Sequence, residues 1–150
     1  MIKLVVLANL ASTFFMVGLI WFVQIVHYPL FDRVGREGFS TYESSHSQLT
    51  SLVVIPPMLV ELMTTGMLLL ARPVGMRLWE AVVGALLLAV VWGSTFLLQV
   101  PRHGELAMGF DQAAHSALVA TNWLRTIAWS LRGVLWLIFL ERTIKSGATA

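Results

Sequence analysis

Four long apolar runs constrain this chain more than anything else in it. Residues 4–26 carry no charge, 49–71 only Glu61, 81–100 none, and 113–140 only His115, Arg125 and Arg132. About 20 apolar residues in helical form cross a bilayer's hydrocarbon core. A backbone in that environment must satisfy its own hydrogen bonds, so runs of this length are read as helices. Four of them consume most of 150 residues, which leaves no room for a separate soluble domain. The expectation is therefore one all-α domain over residues 1–150, a four-transmembrane-helix up-and-down bundle with a polar helical extension preceding the second helix.

Composition closes off other classes. Charged residues make up 12% of the chain, against about 25% in soluble domains, and the mean hydropathy is +0.79. Cysteine is absent, which removes disulfides, thiolate metal sites and thiol catalysis together. The net charge is only +2 and its Lys and Arg residues sit at span ends, so nucleic acid is not an expected partner. Gly-rich phosphate loops, a G-x-S-x-G elbow and H-E-x-x-H are missing, so hydrolase and nucleotide-driven readings have no support.

Local signals punctuate the spans. The first helix is expected over 3–28 and to stop at Pro29, and its apolar run continues too far for a signal peptide. Ser40 and Glu43 have the spacing of a capping box for the second helix, and Pro56–Pro57 predicts a kink within it that opens space in the bundle. The third helix is expected over 76–100, ended by Pro101. The fourth begins near Asp111, a first-turn acid suited to the helix dipole, and runs to about 141–145 before a frayed tail at 146–150. Lys3, Arg72, Arg77, Arg142 and Lys145 on one side, against Arg33, Arg36 and Arg102 on the other, predict an integral membrane protein of bacterial inner-membrane type with both termini cytoplasmic.

Antiparallel threading brings His27, His46, His103 and His115 to the end opposite the termini. A weak repeat echoes this, with Gln24, His27, Gly38-Phe39 and His46 matched by Gln99, His103, Gly109-Phe110 and His115. Glu43 and His46, three apart, share a helix face, and Asp111 precedes His115 by four. Imidazole with carboxylate at such spacing grips a transition metal in di-iron helical bundles. The expected ligands are His27, Glu43, His46 and His115, with Asp111 and His103 beside them. Iron leads copper, zinc and manganese, which spacing does not separate. Histidines at a membrane interface and acids at helix starts also occur without any metal.

Glu61 lies 15 residues past His46 and Arg125 lies 10 past His115, depths of about 22 and 15 Å on an ideal helix. Both are thus inside the hydrocarbon, and they are expected to pair across the bundle. His115, Asn122, Arg125, Trp129 and Arg132 draw a polar stripe along the last helix, and Trp92, Thr95 and Gln99 a milder one on the third. The stripes outline a cavity suited to a flat, mostly apolar quinone- or polyketide-like molecule, with Glu61 and Gln99 as candidate contacts to a bound cofactor. Trp21, Trp79 and Trp136 are read as interfacial belt residues.

The segment Val100-Pro101-Arg102-His103-Gly104-Glu105-Leu106, with Thr121-Asn122-Trp123-Leu124-Arg125-Thr126 on the last helix, resembles small four-helix membrane proteins of the anthrone-oxygenase-like family. There a V-P-x-N/H-x-x-L segment precedes a W-x-x-x-N-x-x-R-T stretch. The resemblance covers mainly the second half of the chain. It implies functional roles for Asn122 and Arg125, and oxygenase chemistry of the kind that turns anthrones into anthraquinones. The chain departs from the pattern in its Glu43/His46 and Asp111/His115 pairs.

The resulting expectation is a membrane-embedded, metal-dependent oxidoreductase or oxygenase acting on a lipophilic substrate, with Asn122 and Arg125 orienting a substrate oxygen or stabilising an oxyanion. One alternative is a small ion- or proton-coupled transporter or channel subunit using Glu61, Arg125 and the histidines. Another is an accessory bundle, or a homo-oligomer, packed through small-residue faces at Gly84-Ala85 and Gly93-Ser94.

Overall fold

The computed structural model describes residues 1–147, and among them every regular element is helical. Of the tail expected at 146–150, residues 146 and 147 complete the last helix and the remainder lies outside the described residues. The α-helices are α1 (Ile2–Phe22), α2 (Phe39–Leu70), α3 (Leu78–Ser94), α4 (Val100–Ala107) and α5 (Gln112–Gly147). With the turns that prolong them they form four helices long and apolar enough to cross a membrane: Ile2–Arg33, Arg36–Leu70, Leu78–Ala107 and Gln112–Gly147. In the bundle α1 packs on α2 and α5, and α3 packs on α5 and α2.

Two prolines behave differently from expectation, for one reason. Before Pro29 the first helix widens into a π turn, Val23–His27, closed by Tyr28 N–H donating to the Val23 carbonyl at 3.0 Å. Pro29 then opens a 3-10 turn, Pro29–Arg33. The third helix widens likewise over Thr95–Gln99 and resumes as α4, with Pro101 in its first turn. A first-turn proline lacks an N–H that would have had no helical partner anyway. Pro101 therefore does not end the helix, which continues to Ala107. Both π turns carry an inward glutamine, Gln24 and Gln99, each almost fully buried, at positions matched in the weak repeat.

The helix starts also sort themselves. Asp111 is an N-cap, its Oδ1 accepting from Ala114 N–H at 2.7 Å. The capping box expected at Ser40 and Glu43 does not form: Ser40 Oγ donates to the Ala107 carbonyl at 2.5 Å and Glu43 is turned wholly inward. α2 runs without interruption through Pro56 and Pro57. The short connection before α3 needs Gly75 at φ +88°, where a side chain is disfavoured.

Polar and apolar residues are distributed inside out relative to a water-soluble bundle. Leu52, Leu86, Leu97 and Leu137 face outward, whereas Asn9, Thr13, Glu61, Asn122, Arg125 and Arg132 are buried. That is the arrangement a lipid solvent favours, because apolar surface costs nothing there and polar groups must find partners inside. The apolar core around Met16, Met58, Leu88, Leu118 and Trp129 separates two polar centres.

The centre nearer the termini corrects the expected ion pair. Glu61 binds Arg132, not Arg125: its Oε1 lies 3.3 Å from Arg132 and accepts from Thr13 Oγ1 at 2.6 Å, while Oε2 accepts from Trp129 Nε1 at 2.8 Å. The reason is depth. Arg132 is 17 residues past His115, about 26 Å along the helix and close to the 22 Å of Glu61, whereas Arg125 stops about 7 Å short. Arg132 also donates to the Gly84 carbonyl and to Asn9 Oδ1, so Gly84 faces this centre and not an outside partner. Trp136, expected in the belt, is buried with its indole N–H on Asn9 Oδ1 at 3.0 Å. Trp21 and Trp79 remain on the surface.

Candidate functional site

The other polar centre lies at the histidine end. A π turn inserts one residue, which rotates the downstream side chains by about 100° relative to an unbroken α-helix. His27 and Tyr28 end one such turn and His103 comes after the other; His103 meets Glu43 of α2, and the rings of all three lie beside His46. The imidazole of His103 lies 2.5 Å from Glu43, Nδ1 to Oε1. His46 Nδ1 lies 2.8 Å from His27 Nε2 and 3.1 Å from Thr50 Oγ1. The His46 and His103 rings are 5.3 Å apart between centroids.

Glu43, His46 and His103 each present a ligand atom within 4.8 Å of the others, close enough to hold one metal ion. Glu43 Oε1 is engaged by His103 and by Ser47 Oγ, but Oε2 is buried without a hydrogen-bond partner among the described residues. A buried carboxylate oxygen with no donor is costly unless something cationic meets it. His46 can donate from Nδ1 to His27 or Thr50, leaving its Nε2 lone pair free, and outer partners of this kind orient metal-binding imidazoles.

Of the remaining expected ligands, His115 and Asp111 lie apart from this group. His115 is buried, its Nε2 donating to the Tyr28 carbonyl at 2.8 Å and its ring stacked on Phe31. Asp111 is exposed and occupied as the cap of α5. His27 adjoins the triad through His46. Gln99 accepts from Ser94 and donates to Thr121, joining α3 to α5 at the cavity wall. Glu61 is enclosed in the distant centre.

Tyr28 and Gln24 complete a chain of contacts; the weak repeat marks Gln24, but Tyr28 is not among the residues that pattern or spacing point to. The Tyr28 hydroxyl is 2.9 Å from His103 Nε2 and 3.1 Å from Arg125 Nη2. Arginine only donates, so the phenol oxygen accepts from Arg125 and its own proton is free to be donated to His103 Nε2; in that tautomer His103 donates from Nδ1 to Glu43. On the other side Arg125 donates to Asn122 Oδ1, and Asn122 Nδ2 donates to Gln24 Oε1 at 2.8 Å. The one signal for Tyr28 is its place before Pro29, and without the π turn its direction is not readable.

Tyr28, His103 and Arg125 of this chain of contacts line a cavity of about 590 Å³, within the range of small-molecule sites. Its inner wall is buried Met16, Ile20, Met58 and Arg125; its rim is exposed Ile55, Phe96 and Val100, so it opens sideways between α2 and the π turn that joins α3 to α4. Val54, Ile55 and Met58 beside the two prolines bound it.

No protein-family model, curated protein or solved structure matches the chain.

Proposed function

We propose that this protein is an integral membrane oxidoreductase of the oxygenase type, acting on a lipophilic quinone- or polyketide-like substrate with a transition metal held by Glu43, His46 and His103. The observation that carries the reading is the unpartnered, buried Glu43 Oε2 beside two imidazoles at the head of a laterally open apolar cavity. Two imidazoles and one carboxylate are the donor set of the facial triad in non-haem iron oxygenases, which favours iron. When bound, the metal supplies redox and Lewis-acid chemistry. The overall reaction proposed is R₂CH₂ + O₂ → R₂C=O + H₂O, balanced without a further reductant.

The chain's own residues do the rest. Glu43 and His103 Nδ1 would hold the metal through their lone pairs, so the His103 proton would sit on Nε2, where it donates toward the Tyr28 oxygen and keeps the ring oriented. Arg125, positioned by Asn122 and Tyr28, holds a substrate oxygen at the cavity wall. The side opening admits substrate from the lipid phase, and the distribution of basic residues favours cytoplasmic termini with this site at the opposite face. The transporter alternative asks for a continuous polar path, yet among the described residues no hydrogen bond joins this chain of contacts to the Glu61 centre. The family resemblance agrees with the oxygenase reading through Asn122 and Arg125.

The test is elemental analysis of the detergent-purified protein. About one iron per chain is expected, with loss of the metal in Glu43→Gln and in His46→Ala. A wild-type stoichiometry near zero after incubation with ferrous iron refutes the proposal.

A further inference from the structure

Three arginines are buried in this bundle or face its interior, and two of them have acids: Arg132 has Glu61, and Arg142 has Glu80. Arg125 has none. It is 7% exposed and makes no ion pair among the described residues. Its contacts are neutral acceptors, Asn122 Oδ1 and the Tyr28 hydroxyl, and its Nη1 group makes no hydrogen bond among the described residues. Glu43 is reached only through Tyr28 and His103, two side chains away.

A guanidinium does not lose its charge by deprotonation. An unpaired one at such depth is expensive, and where it persists it faces a cavity or a ligand. Arg125 lines the 590 Å³ cavity. The lining thus carries one uncompensated positive charge, while the rest of it is largely apolar and its mouth opens sideways at Ile55, Phe96 and Val100.

We propose that the cavity selects an apolar molecule bearing one ionised oxygen acid, a carboxylate or an acidic phenol, whose oxyanion sits on Arg125 and whose apolar body points toward the opening between α2 and the π turn that joins α3 to α4. This rests on the oxidation reading and deepens it by naming the charge state of its ligand. The anion is drawn by Arg125 itself, so the binding does not need the metal.

The experiment is equilibrium binding to chelator-treated protein in neutral detergent, where no metal can attract the anion. Two probe pairs are used: palmitate against methyl palmitate, and an acidic hydroxynaphthoquinone against its methyl ether. At least one acid should bind about ten-fold or more tighter than its neutral partner. The preference should vanish in Arg125→Gln and survive in part in Arg125→Lys. Preference confined to palmitate identifies a bilayer-derived ligand, and preference confined to the hydroxyquinone a substrate-like one; both support the proposal. Equal binding of acid and neutral partner in both pairs, or no binding of either acid, overturns it. So does a preference unaffected by Arg125→Gln. The wild-type comparison decides the matter even if Arg125→Gln fails to fold. Absence of iron from the purified protein would sink the oxidation reading and leave this one standing.

Discussion

A double-mutant cycle across the deep ion pair offers the sharpest check on the register of the bundle. In Glu61→Gln the carboxylate charge disappears while Arg132 stays 3% exposed. The new amide also cannot accept from Thr13, Trp129 and Arg132 as three converging donors require. Stripping one partner from a buried pair costs about 3–5 kcal/mol, because the other charge is left without compensation. Arg132 keeps the Gly84 carbonyl and Asn9 Oδ1 as neutral acceptors, which argues for the low end, roughly 3 kcal/mol. Arg132→Gln should cost about the same, since it leaves Glu61 with only two neutral donors. The double variant removes both charges and should cost far less than the sum, giving a coupling of roughly 2–3 kcal/mol. Arg125 sits seven residues away on α5, about 10 Å, so its cycle with Glu61 should couple by less than about 0.5 kcal/mol. The assay is reversible unfolding in mixed micelles followed by far-ultraviolet circular dichroism. A Glu61–Arg125 coupling equal to or above that of Glu61–Arg132 would show the helices to be misaligned by about two turns and refute the reasoning.

Two further outcomes concern the histidine end. Tyr28→Phe keeps the ring against Phe31 but removes the hydroxyl between Arg125 and His103; stability should fall by about 1–2 kcal/mol, iron content should hold, and substrate turnover should drop at least ten-fold, with loss of iron counting against the placement of Tyr28 outside the ligand set. Asp111→Ala should cost about 1 kcal/mol through the lost cap of α5, and elemental analysis should find its iron unchanged; a fall in iron would place Asp111 among the ligands after all.

Much of the candidate site is legible in the residue pattern. Glu43 and His46 share a face at any helix geometry, and an up-and-down threading of four spans must bring the histidines to one end. The choice among them is different. Spacing ranks His103 behind His115, yet His103 joins the triad while His115 turns to a backbone carbonyl. The sequence carries no sign of the two π turns that set these directions, because the same apolar residues fit a π turn and an α turn. The Glu61 partner is within reach of simple arithmetic, since helix rise already matches its depth to Arg132 better than to Arg125. Pairing the two most isolated charges overlooks that match.

What the amino-acid order determined by itself is whatever depends on local composition and one-dimensional length. Helical spans, their number, the alternation of direction and the burial of polar groups follow from apolar runs of bilayer length and from the cost of an unsatisfied backbone in hydrocarbon. What only the tertiary structure decided is whatever depends on rotation about a helix axis. One inserted residue in a turn moves a side chain by about 100°, enough to swing Tyr28 between Arg125 and His103 and to leave Glu43 Oε2 bare. Such rotations are set by the packing of neighbouring helices, and no single stretch of sequence contains them.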